Sequence, residues 1–417
     1  MVSLQLPAIL INLQIPLLYL NNILALTIGP NHHFLRVVTS LPILVVLICQ
    51  SLYRDLEGPW GDHYAMNCLV LSASFVYVDW ILLSSPDKDG WHKKQYDKPS
   101  RAIKGKENGA ANGAANGVLA TKKDSTVPAG LLARLWLGIR LSTTLRYVGW
   151  SNQVKNVPVE VDAEYPRLLF IARKSLRALL FYFLKDAIYA YTASSPHGSW
   201  RDIKHLKRAV GFTSFPFWHR FWFAWVHIAL TYVTLELMNS LVGVVSVATG
   251  LANPRDCPSA FGDLRGLVSV RNAWSSVWHQ QCRRICSAPG IFIARDVLGL
   301  PKGSFTSKYV QLFIGFGISG IVHAGASMLA HRSFSDDAAF AFFIGQAVII
   351  MVEDHVIDFG KSCGLKDSVY WRLVGFAWTV FAIGANSQRW SGHVIRHDMW
   401  VHDREADWFG IGPKIVM

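Results

Sequence analysis

The sequence predicts an all-α integral membrane protein: a multi-pass bundle of seven to nine membrane helices enclosing a chamber, with amphipathic or re-entrant helices on the cytoplasmic side. Three observations point there. Hydrophobic residues make up 51% of the chain and charged residues only 17%, against about 25% charged in an ordinary soluble protein. Several apolar runs without charge reach the length of ~20 residues that a helix needs to cross a bilayer. The formal net charge of +13 is carried by loops rather than by those runs, which suits an anionic membrane surface or an anionic small molecule. No nucleic-acid-binding motif is present.

The first span is expected over Leu4–Ile28, although Asn12, Gln14, Asn21 and Asn22 interrupt its apolar character. No basic segment of a cleaved signal peptide precedes it, so it reads as a retained helix. Val37–Tyr53 and Tyr64–Leu83 follow as second and third spans, which gives an N-terminal membrane unit over 1–85. Residues 86–128 hold nine Lys/Arg against five Asp/Glu and the repeat NGAANGAANG. Such a segment cannot form a core and is expected to be a disordered, basic cytoplasmic loop. Structured chain resumes over 129–388, and 389–417 is expected as a C-terminal tail. Within the 129–388 region, Leu145–Pro158 is a compact Gly/Trp/Asn segment. Pro166–Thr192 reads as an interfacial amphipathic helix that dips through the bilayer at Ala178–Tyr191. Phe217–Thr249 is one tilted span or a broken one. Leu251–Lys308 does not span, and its eight Lys/Arg against three Asp/Glu assign it to the cytoplasmic side. Spans over Tyr309–Ala330, Ala338–Ile357 and Val369–Ile383 complete the bundle.

Tyr309–Ala330 is free of charge yet contains His323, with Ser319, Gly320, Ala326 and Ser327 on the same helical face. An ionisable group at that depth faces a cavity, a partner helix or a substrate path; a hydrogen bond to a neighbouring helix is the plainer reading. A second informative stretch is Ser269–Arg284, where Arg271, Trp274, Trp278 and Gln281 or Cys282 recur at helical spacing. Tryptophans and arginines in such a stripe serve as interface anchors. With Arg283 and Arg284 they also form a cation cluster suited to the phosphates of a nucleotide-like donor such as coenzyme A. His279 lies inside this stretch. The six cysteines form no disulfide framework. His279, Cys282 and Cys286 lack a fourth ligand and read as one helical face, so no metal site is expected.

The order of these elements, R-x-x-W-x-x-x-W-H in a cytoplasmic re-entrant segment followed by an intramembrane histidine, resembles the membrane-bound O-acyltransferase superfamily. More narrowly it resembles the wax-synthase-like branch and its fungal O-acetyltransferases of terpenoid, meroterpenoid and trichothecene pathways. The likeness runs from Arg146 to Gly360. It includes Arg146–Trp150 with Val154–Pro158, Pro254, Pro258 and Phe261–Gly262, Arg271–His279, Val322–His323 and the helix of Glu353. The chain departs from the pattern at Ala273, Trp274 and Ser275, where Phe-Trp-Gly is usual, and at Cys257, where Trp is usual; both differences concern the packing of the pocket.

The resemblance implies transfer of an acyl group from an acyl-CoA thioester to a hydroxyl of a lipophilic acceptor, and the likeness to the fungal branch implies acetyl from acetyl-CoA to a terpenoid or meroterpenoid. An alcohol needs a base to take its proton, and His323 is the candidate. His279 would orient a substrate or steady the developing oxyanion. Arg271, Trp274, Trp278, Arg283 and Arg284 would hold the donor, and Ser319, Ser327 and Glu353 would line the acceptor side. Acetyl-CoA is then a co-substrate from the cytoplasm with no bound cofactor, the acceptor comes from the bilayer, and the site is the endoplasmic-reticulum membrane. Three rival readings remain: a long-chain wax or sterol ester synthase, a non-catalytic lipid-binding or scaffold protein, and a proton-coupled transporter, whose internal repeats the sequence does not display.

Overall fold

Long apolar helices make up most of the computed structural model, which describes residues 13–53, 59–94, 130–201 and 210–412. In chain order they are α1 (Gln14–Ile28), α2 (His33–Tyr53), α3 (Trp60–Tyr77, prolonged by a π turn Val78–Leu83), α4 (Leu131–Ser142), α5 (Arg167–Ser194) and α6 (Phe217–Ala248). There follow the single turn α7 (Val270–Asn272), then α8 (Arg283–Phe292), α9 (Phe305–His331), α10 (Ala339–Ser362) and α11 (Val369–Ile395). Among the described residues five helices are long and apolar enough to cross a membrane: Pro30–Tyr53, Trp60–Leu83 and the helices α6, α9 and α10. Helices α5 and α11 are of similar length but more polar. Residues 4–12 of the first expected span lie outside the described residues.

Local sequence explains the boundaries. Helices α5 and α6 start directly after Pro166 and Pro216, a residue that suits the first turn and not the interior. Ser304 and Ser368 cap α9 and α11 by accepting the backbone N–H of Ser307 and Trp371. Helix α9 ends where Arg332 turns left-handed, at φ 51°.

Helix α9 sits at the centre, packed on α3, α8 and α10, while α5 lies along α6 and α6 meets α11. The polar residues that interrupt the first span link helices. Gln14 donates to Leu47 O and to Ser51 Oγ on α2, Asn21 donates to Ser40 O, and Asn22 donates to Ala73 O on α3. Hydrogen bonds of this kind hold apolar helices together in a lipid phase, where burial of carbon alone gives no preference. Large apolar side chains such as Phe34, Leu168, Leu176, Trp218 and Val245 point outward, as a lipid-facing surface requires.

Two expectations are corrected, and two other segments are defined more closely. Residues 86–94, the front of the expected loop, are folded: Asp87 binds Arg36 of α2 at 2.5 Å, and Lys93 bridges to Trp150. Residues 95–129 lie outside the described residues. On helix α5, Arg173 and Lys174 both turn to Glu160 at 2.8 Å, and Arg177 is set between Glu160 and the fully buried Glu236, while Arg173 stays partly exposed. Of the two alternatives expected for Phe217–Thr249, the structure has the first, one unbroken helix over Phe217–Ala248. The described part of 389–417 belongs to the bundle, since Trp400 is fully buried and Val401–His402 pairs in parallel with Ser199–Trp200.

Candidate active site

Helix α9 carries His323 into the interior, where its neighbours come from three other helices. Nδ1 lies 2.7 Å from Tyr64 Oη on α3 and 3.6 Å from Cys68 Sγ, one turn further along α3. The imidazole stacks on Phe343 of α10 at 4.9 Å with planes 14° apart, and Trp390 of α11 stands across it at 5.3 Å. An aromatic box therefore fixes the ring plane, and the Tyr64 contact fixes its rotation. Nε2 makes no hydrogen bond among the described residues. His279 and His227 are both near enough to influence His323 electrostatically.

The four small neighbours predicted to form a notch around His323 do other work. Ser319 Oγ faces Cys286 Sγ of α8 at 3.3 Å. Gly320 lets Phe340 approach so closely that a Cβ there would meet the ring at 2.8 Å. Ser327 is fully buried beside Asp337. These residues seat α9 against α8 and α10, so Ser319 and Ser327 are packing contacts in this geometry.

The stretch Ser269–Arg284 is not one helix. The turn α7 widens into a π turn over Ala273–Val277, where the Trp278 N–H reaches back to Ala273 O, and Trp278 is extended at ψ 151°. Helix α8 starts afresh at Arg283. His279 thus lies in the break, and the shared helical face expected with Cys282 and Cys286 does not exist. Gly262 N–H donates to Val277 O, and a Cβ on Gly262 would strike the Ser276 carbonyl. That close approach explains the glycine in the Phe261–Gly262 turn. Arg146 pins the same turn by donating to Ser259 O at 2.5 Å and Pro258 O at 2.8 Å.

His279 packs edge-on to Phe261 and beside Trp278, and its buried Nδ1 has no hydrogen-bond partner. Burial, with the nearby Arg146 charge, lowers its pKa to about 4. It is therefore neutral at physiological pH, with one ring N–H to donate. A buried polar atom without a partner is costly, and a substrate atom would complete it.

The cations expected to gather for a donor are engaged separately. Arg271 binds Asp354 through Nε and Nη2 at 2.6 and 2.5 Å; Lys308 and Tyr309 reach the same carboxylate at 2.6 and 3.0 Å. Asp354 is thus a buried knot joining α7, α9 and α10. Arg284 forks onto Asp79 and lies over Trp91, while Arg283 donates to Ser275 O and to Gln280 Oε1. Arg271 and Lys308 keep 34% and 43% of their side chains exposed. Trp274 donates to Gln346 and lies among Trp278, Phe316 and Phe343 as core. Glu353 accepts the backbone N–H groups of Val270 and Arg271 at 2.7 and 2.9 Å and the Trp378 indole at 3.0 Å. It caps α7, so it positions the segment that carries His279 and does not line an open pocket.

The sequence reading missed Tyr64, Phe343, Trp390 and His227. His227 lies in the apolar run of α6 and could have been found by the criterion that singled out His323. Tyr64 carries no local signal.

The sequence pattern of the membrane bound O-acyl transferase family matches residues 257–345, a span that holds both His279 and His323. Acetyltransferase sirH of Leptosphaeria maculans is 52% identical over 407 residues, 98% of this chain and 97% of that one. The chain belongs to the membrane bound O-acyl transferase family. Acetyltransferase ple2 of Rhodocybe pseudopiperita is 31% identical over 64% of this chain and 68% of its own length. Acetyltransferase eriL of Hericium erinaceus is 30% identical over 67% and 72%. No solved structure matches the chain. This membrane protein is an O-acetyltransferase, with an acyl donor and an acceptor as its substrates, and the transporter reading falls.

Proposed function

We propose that the enzyme moves an acetyl group from acetyl-CoA to a hydroxyl of a lipophilic, terpenoid-type acceptor in the endoplasmic-reticulum membrane, with His323 as general base. The observation that carries this is the Tyr64–His323 hydrogen bond inside a spanning helix. In the tautomer that serves as base, Nδ1–H donates to Tyr64 Oη and the lone pair of Nε2 points away from it. Nε2 takes the acceptor's hydroxyl proton as the oxygen attacks the thioester carbonyl. The resulting oxyanion is met by the N–H of neutral His279. The C–S bond then breaks, the carbonyl re-forms, and the coenzyme A thiolate takes the proton from His323. No covalent acyl-enzyme is required.

The donor is water-soluble and the acceptor apolar, so the reaction needs a chamber reached from both phases. Arg271 and Lys308 supply partly exposed positive charge for the donor's phosphates while they remain bound to Asp354. Preference for a terpenoid acceptor rests on the resemblance to the fungal branch.

The test uses microsomes bearing the enzyme or its His323→Ala variant, with labelled acetyl-CoA or palmitoyl-CoA and a panel of hydroxylated terpenoids and fatty alcohols. Acetyl ester on a terpenoid is expected, with the rate lowered by more than about 100-fold in the variant. Long-chain ester would overturn the acetyl assignment, and equal rates with His323→Ala would overturn the base.

A further inference from the structure

Three side chains from three elements meet where α9 ends. His331 occupies the last turn of α9, Asp337 the turn into α10, and His397 the chain just beyond α11. His331 Nε2 lies 2.8 Å from Asp337 Oδ2, His397 Nε2 lies 3.7 Å from Asp337 Oδ1, and the two imidazole centroids are 4.3 Å apart. One donor atom from each residue lies within 4.8 Å of the other two. We propose that His331, Asp337 and His397 form a binding site for one divalent transition-metal ion, zinc by its donor set.

Two imidazole nitrogens and one carboxylate oxygen suit zinc and its neighbours, whereas calcium and magnesium take oxygen ligands. Tetrahedral zinc with bonds of about 2.0–2.1 Å places adjacent ligand atoms roughly 3.3 Å apart; His331 Nε2 lies closer than that to Oδ2 and His397 Nε2 a little farther from Oδ1, so Asp337 would turn to present one oxygen to the ion. The cluster is not a surface ion pair: side-chain exposure is 0% for Asp337, 13% for His331 and 28% for His397. Each carboxylate oxygen faces a different imidazole. The Trp60 ring lies against both, at 4.9 Å from His331 and 5.4 Å from His397, and so fixes the planes in which the two imidazoles would meet a metal. Two contacts oppose the ion. His331 Nε2 and Asp337 Oδ2 are in hydrogen-bond contact at 2.8 Å and must part to admit it. Exposed Arg396 points Nε at His397 Nε2 from 3.3 Å and must turn outward before that nitrogen can coordinate.

The ion would act as a clasp joining the ends of α9, α10 and α11. Eight residues separate His331 from His323, about 12 Å along the helix, so the clasp lies outside the reacting centre. It still bears on that centre, because Trp60 stacks on Tyr64 at 5.2 Å and Tyr64 holds His323.

The test takes the full-length protein in detergent, strips it with chelator and titrates it with Zn²⁺ alone, and separately with Co²⁺. One equivalent of zinc is expected, together with visible d–d bands from cobalt in the wild type. Asp337→Asn and His397→Gln should weaken zinc binding by more than about 100-fold. Arg396→Gln should tighten it several-fold by removing the competing cation. Wild-type protein that shows no cobalt bands, or takes up no more zinc than Asp337→Asn, overturns the site; so does an Arg396→Gln affinity no tighter than wild type. The cobalt spectrum needs no variant and stands even where a substitution prevents folding.

Discussion

The phenol of Tyr64 is the smallest feature on which the proposed chemistry depends. His323 could rotate within its aromatic box unless one nitrogen were held, and Tyr64 Oη at 2.7 Å is the group that holds it. Removing only that oxygen leaves the Trp60 stacking and the packing on α3 in place. Tyr64→Phe should therefore fold normally and keep the KM for both substrates. Its kcat should fall by about 10-fold or more, with the kcat–pH profile shifted, because the base loses its fixed tautomer. A merely structural tyrosine would change the thermal midpoint and leave the pH profile where it was. Sequence could mark His323, because a lone ionisable residue in an apolar run is visible by itself. It could not mark Tyr64, which is 259 positions away and ordinary in its own neighbourhood.

Among the elements, α7 with its π turn contributes most to the site. The spacing of Arg271, Trp274 and Trp278 reads as helical, and so the break after Val277 is invisible in the pattern. The break exists because the Trp278 N–H bonds five residues back, to Ala273 O, and then the chain extends to bring His279 inward. What anchors this turn is Glu353, buried on α10 and accepting two backbone N–H groups at the start of α7. Glu353→Gln keeps the shape but aims an amide NH₂ or a weaker acceptor at those donors. A loss of about 1.5–3 kcal/mol in stability is expected from charge-assisted hydrogen bonds of this kind. It should be measurable as a lower thermal midpoint, with a fall in kcat as the His279 segment loosens. An unchanged midpoint together with unchanged turnover would show that α7 is held by its hydrophobic contacts alone. The spans themselves were readable because length and absence of charge define them. The fit of α5 into the bundle was not, since the helical pattern does not show that Arg173, Lys174 and Arg177 are matched by Glu160, just before the helix, and by Glu236 on α6.

Taken as a whole, the molecule has two chemically different ends, and the distribution of charge says which side each faces. Around the start of α9 and the end of α10 lie Arg271, Lys308, Asp354 and the basic segment 251–308; around the end of α9 lie His331, Asp337 and His397. The positive-inside tendency predicts that the first end faces the cytoplasm, the side from which the proposed donor acetyl-CoA would come, and that the second faces the far side of the membrane. Helices α9 and α10 are each long and apolar enough to cross, so the turn after α10 returns to the side on which α9 began. Cys363 sits in that turn and is exposed, which makes it a reporter of sidedness. In sealed, cytoplasmic-side-out microsomes, a variant retaining Cys363 as its single cysteine should react with a membrane-impermeant maleimide without detergent. A cysteine placed at Ser333, in the turn between α9 and α10, should react only after permeabilisation. The reverse pattern would put the Arg271–Lys308 end in the lumen. It would then remove the reason for bringing the donor to that end, whatever the role of His323.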